Sequence, residues 1–333
     1  MGDFMEQIFN SLTHLIKEHN DIIIMTHKNP DFDGLGSALG LQQIINSFNK
    51  NSYICINNRE KNSSLKKSYD LIKKNNLYFN TTNKNNVKKL ISDNTLLIIL
   101  DTHKKEMTEV PTLIEKVKNI IVIDHHIKSK NYISDVTLSY INSGLSSTVE
   151  FMTNYIKYLN KQIDPLIATF MLVGLEIDTN NFRLKTTDKT YEAAAFLTKL
   201  GANNILKQEL LQENKEIYIK RQKLIEKSFM INDNMIMCIL DNKIYENKDL
   251  AEIAEELLHF ENVDASFVIG KLEKSLVGIS ARSIGNINVE NIMVKLGGGG
   301  HLTEAATQIK NCTVEESKEK LLNIIEQSNI IEK

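Results

Sequence analysis

Cysteine is scarce. Cys55, Cys238 and Cys312 are the only three in 333 residues, far apart and without a C-x-x-C pair. This argues against a zinc-thiolate site and a disulfide framework, and it fits a reducing cytoplasm. Excess charge is lacking as well, with 40 basic against 42 acidic residues. The electrostatic footprint of a general duplex-binding protein is therefore missing, and an anionic substrate must be met by local groups or by metal. Nowhere does the chain hold the roughly 18 consecutive apolar residues that a membrane span needs. Asp3 and Glu6 stand where a secretory leader would be basic, so no signal peptide is predicted. Internal repeats and low-complexity tracts are also missing.

What is present suffices for two cores: 42% of the residues are apolar, and the length suits two globular domains. Met5, Ile8, Phe9, Leu12, Leu15 and Ile16 recur at helical spacing and predict an amphipathic helix that packs on its own domain. Buried strands are predicted at 22–25, 53–56, 96–100 and 119–124. Helices are predicted from Gly34 to Phe48, from Ser147 to Leu159 and from Pro165 to Ile177, and alternation of the two implies a parallel sheet with right-handed crossovers. Residues 58–94 are polar and predict short surface helices. From Asp188 to about Lys227 the chain is helical and charged. A second domain then opens near Asn232, with strands at 235–240, 265–270 and 276–282 and helices at 248–260, 289–295 and 314–325.

Three strand ends carry chemistry. The first runs into His27, Asp31 and Asp33, where Pro30 restrains its own φ and forces a loop. The next ends on Asp101, and the third on Asp124, His125 and His126, while the helix from Pro165 delivers Asp178. In an open parallel sheet these ends share one edge, the usual place for a ligand. Single acids after strands often serve as caps; agreement among three ends favours a site. His27, Asp31, Asp33, Asp101, His125 and Asp178 offer four carboxylates and two imidazoles without a thiolate. That set suits manganese or magnesium better than structural zinc, with the imidazoles tipping the choice toward manganese. It exceeds what one ion takes and suits two ions roughly 3.5–4 Å apart with a shared carboxylate. In the second domain Gly297, Gly298, Gly299 and Gly300 before His301 can bring backbone amides near a phosphate or base, and Arg282 can clamp a phosphate bidentately. Ser147 to Glu150 has the form of a capping box.

The blocks from His27 to Asp33, Asp101 to Lys104, Asp124 to His126 and around Asp178 resemble the motifs of the DHH phosphoesterase superfamily. Residues 265–270, 277–283 and 296–303 resemble its DHHA1 companion domain. Details such as Asp-Thr-His-Lys and the glycine tetrad are most similar to the catalytic part of GdpP-type cyclic-di-AMP phosphodiesterases. The resemblance implies an α/β fold with a parallel-sheet DHH catalytic domain at 1–187, a helical linker at 188–231 and a smaller α/β DHHA1 substrate-binding domain at 232–333. It also implies two manganese ions, with magnesium able to substitute. His27, Asp31 and Asp101 would hold one, and Asp33, Asp101, His125 and Asp178 the other. Asp101 would be the bridge, Asp124 the orienting partner of its neighbour His125, and His126 a stabiliser or proton donor facing the scissile phosphate. The activity implied is two-metal, in-line hydrolysis of cyclic-di-AMP to 5′-pApA, with Arg282, Ser283 and the loop from Gly297 to His301 holding the other nucleotide.

The resemblance further implies a homodimer. The membrane helices, PAS domain and degenerate GGDEF domain usual in such proteins have no counterpart in this sequence, and Lys185 and Lys189 stand where arginines are expected. The competing readings are an oligoribonuclease and 3′-phosphoadenosine-5′-phosphate phosphatase acting on short linear substrates, and a non-catalytic cyclic-dinucleotide sensor.

Overall fold

In the computed structural model, which describes residues 2–57 and 63–331, the chain forms two compact units, Met1–Gln212 and Glu213–Lys333. The first is built on a six-stranded sheet. Its strands are β1 (Asp21–Met25), β2 (Asn51–Cys55), β3 (Thr81–Thr82), β4 (Thr95–Leu100), β5 (Asn119–Asp124) and β6 (Leu138–Ile141). Their order is β3-β2-β1-β4-β5-β6, and every pairing is parallel. Apolar runs such as Ile22-Ile23-Ile24 and Leu97-Ile98-Ile99 are buried on both faces, as a sheet covered on two sides requires. The chain moves outward from β1 to β3 and then returns to lay β4 on the other side of β1. The ends of β1 and β4 thus flank the reversal in strand order, where open α/β sheets leave a crevice.

One face is covered by α1 (Gly2–Glu18), α2 (Phe32–Ser47), α4 (Thr148–Tyr158) and α5 (Pro165–Asp178); α3 (Ser63–Lys74) follows β2. Short 3-10 turns at 87–90, 105–107 and 111–113 lie on the loops, and Val87, Val110 and Leu113 cover the opposite face. α2 and α5 approach so closely that a Cβ added at Gly36 would lie 3.0 Å from the Met171 Cα, and one at Gly174 only 2.7 Å from the Phe32 carbonyl oxygen. A side chain at Gly174 would force the two backbones apart, and one at Gly36 would meet the Met171 backbone closely. Among the described residues no helix is long and apolar enough to cross a membrane.

The expected linker at 188–231 is instead divided. α6 (Asp188–Lys199) and α7 (Asn204–Leu211) belong to the first unit. Thr190 donates to the buried Glu150 at 2.8 Å, the Asn203 amide donates to Thr169 at 2.9 Å, and Lys207 pairs with Glu176. α8 (Lys215–Ile225) belongs to the second unit, where Leu224 and Ile225 enter its core and Arg221 pairs with Glu213, Glu252 and Glu256. Charge along this segment hid the stripe of Leu197, Leu210 and Leu224 that anchors each helix to its own unit.

The second unit is a mixed sheet ordered β11-β12-β10-β9-β8-β7. It comprises β7 (Phe229–Met230), β8 (Met235–Ile244), β9 (Ala265–Glu273), β10 (Leu276–Ser283), β11 (Gly299–Gly300) and β12 (Glu304–Lys310). β8 and β9 are parallel, and the other pairs antiparallel. α8 and α9 (Asn247–Leu257) pack on one face, α10 (Val289–Lys295) and α11 (Val314–Ile331) on the other. Sequence periodicity missed the two-residue strands β3, β7 and β11, and also β6 and β12. β6 is four residues at a sheet edge. β12, Glu-Ala-Ala-Thr-Gln-Ile-Lys, is poor in strand formers and owes its conformation to pairing with β10. Of the predicted short helices at 58–94, α3 and one 3-10 turn are found, and residues 58–62 lie outside the described residues.

Candidate metal and substrate sites

The loops that leave β1 and β4 are zipped together. Lys28 N–H donates to the Met107 carbonyl at 2.7 Å and Glu109 N–H to that of Thr26 at 3.0 Å, which brings His27 over Asp101. Asp31 caps α2 by accepting from the amides of Asp33 and Gly34 at 2.9 and 3.1 Å. Its other oxygen lies 3.7 Å from His27 Nε2. The His27 Nδ1–H donates to the Lys28 carbonyl at 3.0 Å, so the second ring nitrogen faces the carboxylates. Burial works against a charge on His27, yet hydrogen bonds with Asp101 and Asp31 outweigh it and push the imidazole up to about 11.

Asp101 has φ of 62°, in the left-handed region that Asp tolerates better than most residues. Its two oxygens face different neighbours. Oδ2 lies 3.4 Å from His27 Nε2, and Oδ1 lies 3.4 Å from His125 Nε2 and accepts from the Thr148 hydroxyl at 3.2 Å. Burial alone would raise its pKa, but the hydrogen bonds from His125 and His27 hold it below the usual carboxylate range. Asp33, in the first turn of α2, meets the start of α4, whose Thr148 and Val149 amides donate to it at 2.8 and 2.7 Å. A carboxylate at a helix N-terminus is well placed electrostatically. Asp178 closes the ring from the end of α5, 3.2 Å from His125 Nε2; Asp33 stands 3.9 Å from the same nitrogen.

The predicted six residues therefore converge as two triads, His27 with Asp31 and Asp101, and Asp33 with His125 and Asp178, while Asp101 turns one oxygen to His27 and the other to His125; Asp101, Asp124, His125 and His126 form a further cluster. The groups fit divalent cations on three counts. Negative charge is in excess: burial and then the Asp101 charge push Asp33 well above the carboxylate range, while burial and then the Asp33 charge do the same to Asp178. Space is kept beside the donors, since a Cβ at Gly34 would lie 3.3 Å from Asp101 Oδ2 and 3.5 Å from His27 Nε2. Donor chemistry is oxygen with imidazole nitrogen, the set that manganese accepts.

One expected role is corrected. Asp124 does not orient His125, whose buried Nδ1 has no hydrogen-bond partner among the described residues. Adjacent side chains at a strand end point to opposite sides, and the Asp124 carboxylate turns toward His126 instead. It accepts from the His126 amide at 3.1 Å and Nδ1 at 2.7 Å, and also bonds His103. His126 retains 47% of its side-chain exposure, against 5% for His125, so it is the imidazole open to a ligand. Its pKa is raised: burial opposes this and the Asp124 hydrogen bond outweighs it.

Sequence reasoning missed three contributors. Thr148 lies within the Ser147–Glu150 stretch read as a capping box. Ser147 does cap α4, accepting from the Glu150 amide at 3.1 Å. Glu150 completes no box, because it accepts from Ser146 and Thr190 instead. His103 sits in the Asp-Thr-His-Lys block, where its type was a visible signal. Gly174 had no sequence signal, because only the facing backbone of α2 gives it meaning.

In the second unit Arg282, on β10, donates through Nε to Glu255 at 3.2 Å and through Nη1 to the Ala281 carbonyl at 3.1 Å. Ser283 departs from its expected ligand role. The side chain is fully buried, and its hydroxyl donates to the Ile287 carbonyl at 2.7 Å, tying the following turn. The tetrad is mostly a hairpin device. A Cβ at Gly298 would lie 2.2 Å from the Ala306 carbonyl and one at Gly300 would lie 2.4 Å from the Ala305 Cα, whereas Gly297 and Gly299 border open space. His301 turns the chain, its amide donating to the Glu304 carbonyl at 2.6 Å.

An open parallel α/β unit with acids and imidazoles converging at its switch point, joined in sequence to a smaller mixed-sheet unit, defines the class. The chain matches the DHH family, N-terminal domain, over residues 21–175 and the DHHA1 domain over residues 232–329, and it belongs to the DHH phosphoesterase family. It is 36% identical over 326 residues to the Bacillus subtilis protein named cyclic-di-AMP phosphodiesterase GdpP, covering 96% of this chain and 50% of that one. The chain thus spans about half the length of the first such curated relatives. It is 25% identical over 310 residues to the Thermus thermophilus bifunctional oligoribonuclease and PAP phosphatase NrnA, covering 92% and 89% of the two chains. The fold is shared with an exopolyphosphatase-related protein from Bacteroides fragilis, at a TM-score of 0.77 and 19% identity over 96% of both chains.

Proposed function

We propose that the chain is a manganese-dependent phosphodiesterase that opens cyclic-di-AMP to 5′-pApA. The observation that carries this reading is Asp101, whose carboxylate turns one oxygen to His27 and the other to His125. His27, Asp31 and Asp101 would hold one ion, and Asp33, Asp101, His125 and Asp178 a second. Bound divalent ions would neutralise phosphate charge and lower the pKa of water. The chain's own part is to fix these donors and to exclude other geometries. α4 holds Asp33 through two amides, and Thr148 holds Asp101. His126 would stabilise the reacting phosphate or protonate the leaving ribose oxygen, with Asp124 keeping its Nδ1 engaged. Identity favours the cyclic substrate, at 36% to the cyclic-di-AMP phosphodiesterase against 25% to the oligoribonuclease.

The second reading, short linear substrates, is favoured by one observation: the chain matches 89% of the oligoribonuclease but only 50% of the cyclic-di-AMP enzyme. A direct comparison separates the two. Purified protein with manganese, and with magnesium in parallel, is given cyclic-di-AMP, pApA and 3′-phosphoadenosine-5′-phosphate. We expect pApA to accumulate from the cyclic compound. Fast loss of the linear substrates with negligible attack on the cyclic one would replace the proposal with the second reading.

Arg282 is proposed to bind the substrate's other nucleotide. Loss of a charged hydrogen bond costs ~1.5–3 kcal/mol, so Arg282→Ala should raise KM by roughly ten-fold or more with little change in kcat. An unchanged KM places the clamp elsewhere. Arg282→Lys, which keeps charge without the fork, should fall between the two.

A further inference from the structure

We propose that His103 is a positioning residue for His126 and acts through Asp124. The inference rests on the phosphodiesterase reading above. His103 lies two residues beyond Asp101, and its ring is buried, with 1% of the side chain exposed. Both ring nitrogens are engaged. Nε2 accepts the backbone N–H of Ser129 at 2.9 Å, with the Ser129 hydroxyl 3.1 Å from the same nitrogen, and Nδ1 meets Asp124 Oδ2. A backbone N–H can only donate, so Nε2 presents its lone pair, and the single proton of the neutral ring sits on Nδ1. The His103 Nδ1–H therefore donates to Asp124.

This fixes the carboxylate from one side while His126 fixes it from the other. Asp124 Oδ1 accepts the His126 amide at 3.1 Å and its Nδ1–H at 2.7 Å. A carboxylate held at both oxygens cannot rotate about its terminal bond, and the His126 ring takes its orientation from it. The remaining nitrogen of His126 is then the one available to substrate. His103 is also tied at its backbone, where its carbonyl accepts the Ile133 amide at 2.9 Å. The loop that follows the Asp124 block thus sets His103, and His103 sets Asp124.

Removing the imidazole leaves Asp124 Oδ2 buried without its donor. His103→Leu should lower kcat on the order of 10–100-fold, with KM and the manganese dependence within about two-fold of wild type. His103→Asn, whose side-chain N–H can take the place of Nδ1–H, should recover most of the loss. Nitrogen chemical shifts of the metal-free wild type supply a readout without turnover, in which Nε2 of His103 should appear as the unprotonated ring nitrogen. Wild-type kcat in His103→Leu, a loss confined to KM, equal damage in the Leu and Asn variants, or a protonated Nε2 would each overturn the proposal. Absence of turnover in the wild type would count against the phosphodiesterase reading alone, and the nitrogen spectrum would still decide the tautomer.

Discussion

Asp101→Asn is expected to abolish the proposed manganese-dependent phosphodiester hydrolysis, with a loss on the order of 10³-fold or more, equivalent to ~4 kcal/mol of barrier. Asp101 turns its two oxygens to His27 and to His125, and the substitution leaves an oxygen toward one side and an uncharged amide toward the other. Shape is nearly unchanged, so the fold should survive. The Asn amide can keep a neighbour in place, but it cannot supply the charge that both imidazoles now face. A second readout separates metal binding from chemistry. A ligand that binds only the folded state raises its melting temperature by mass action. Manganese should therefore stabilise the wild type, and Asp101→Asn should lose most of that rise. Full manganese stabilisation in the variant would remove Asp101 from the bridging position, and retained turnover would remove it from the mechanism.

Gly174→Ala is expected to destabilise the first unit strongly. The added carbon would lie 2.7 Å from the Phe32 carbonyl oxygen and 2.8 Å from both the Asp33 amide and the Phe32 carbonyl carbon. All three are backbone atoms, so no flexible side chain can yield and α5 must move away from α2. Overpacking of this kind costs ~1–3 kcal/mol and occasionally more. The same displacement shifts Asp33 on one helix and Asp178 at the end of the other. Turnover should fall even where the variant remains folded. Urea denaturation alongside activity in dilute urea measures both effects. As a control for stability, Gly299→Ala should change the midpoint little, because nothing lies within 4 Å of its new carbon. Equal midpoints for the two variants would show that the α2–α5 contact tolerates a methyl group.

The sequence by itself determined the α/β class, the parallel sheet and the six candidate donors, because apolar runs ending on acids and imidazoles are a local pattern that survives any packing. Asp101 and His125 were legible for that reason, and Asp178 as the acid that ends a mostly apolar helix. Four things required the tertiary structure. The order of strands decided that β1 and β4 are neighbours, which no local pattern encodes, and so decided that His27 and Asp101 meet. Packing of α6 and α7 on α5 decided that the charged segment after Asp188 is not a connection, since a few apolar side chains among many charges suffice to anchor a helix. Alternation at the end of β5 turned Asp124 away from His125 and toward His126 and His103. The meaning of Gly174 lay in a backbone more than a hundred residues away. Side-chain type and local periodicity are written along the chain, whereas the close approach of two backbones and the direction in which a carboxylate turns exist only once distant segments have packed.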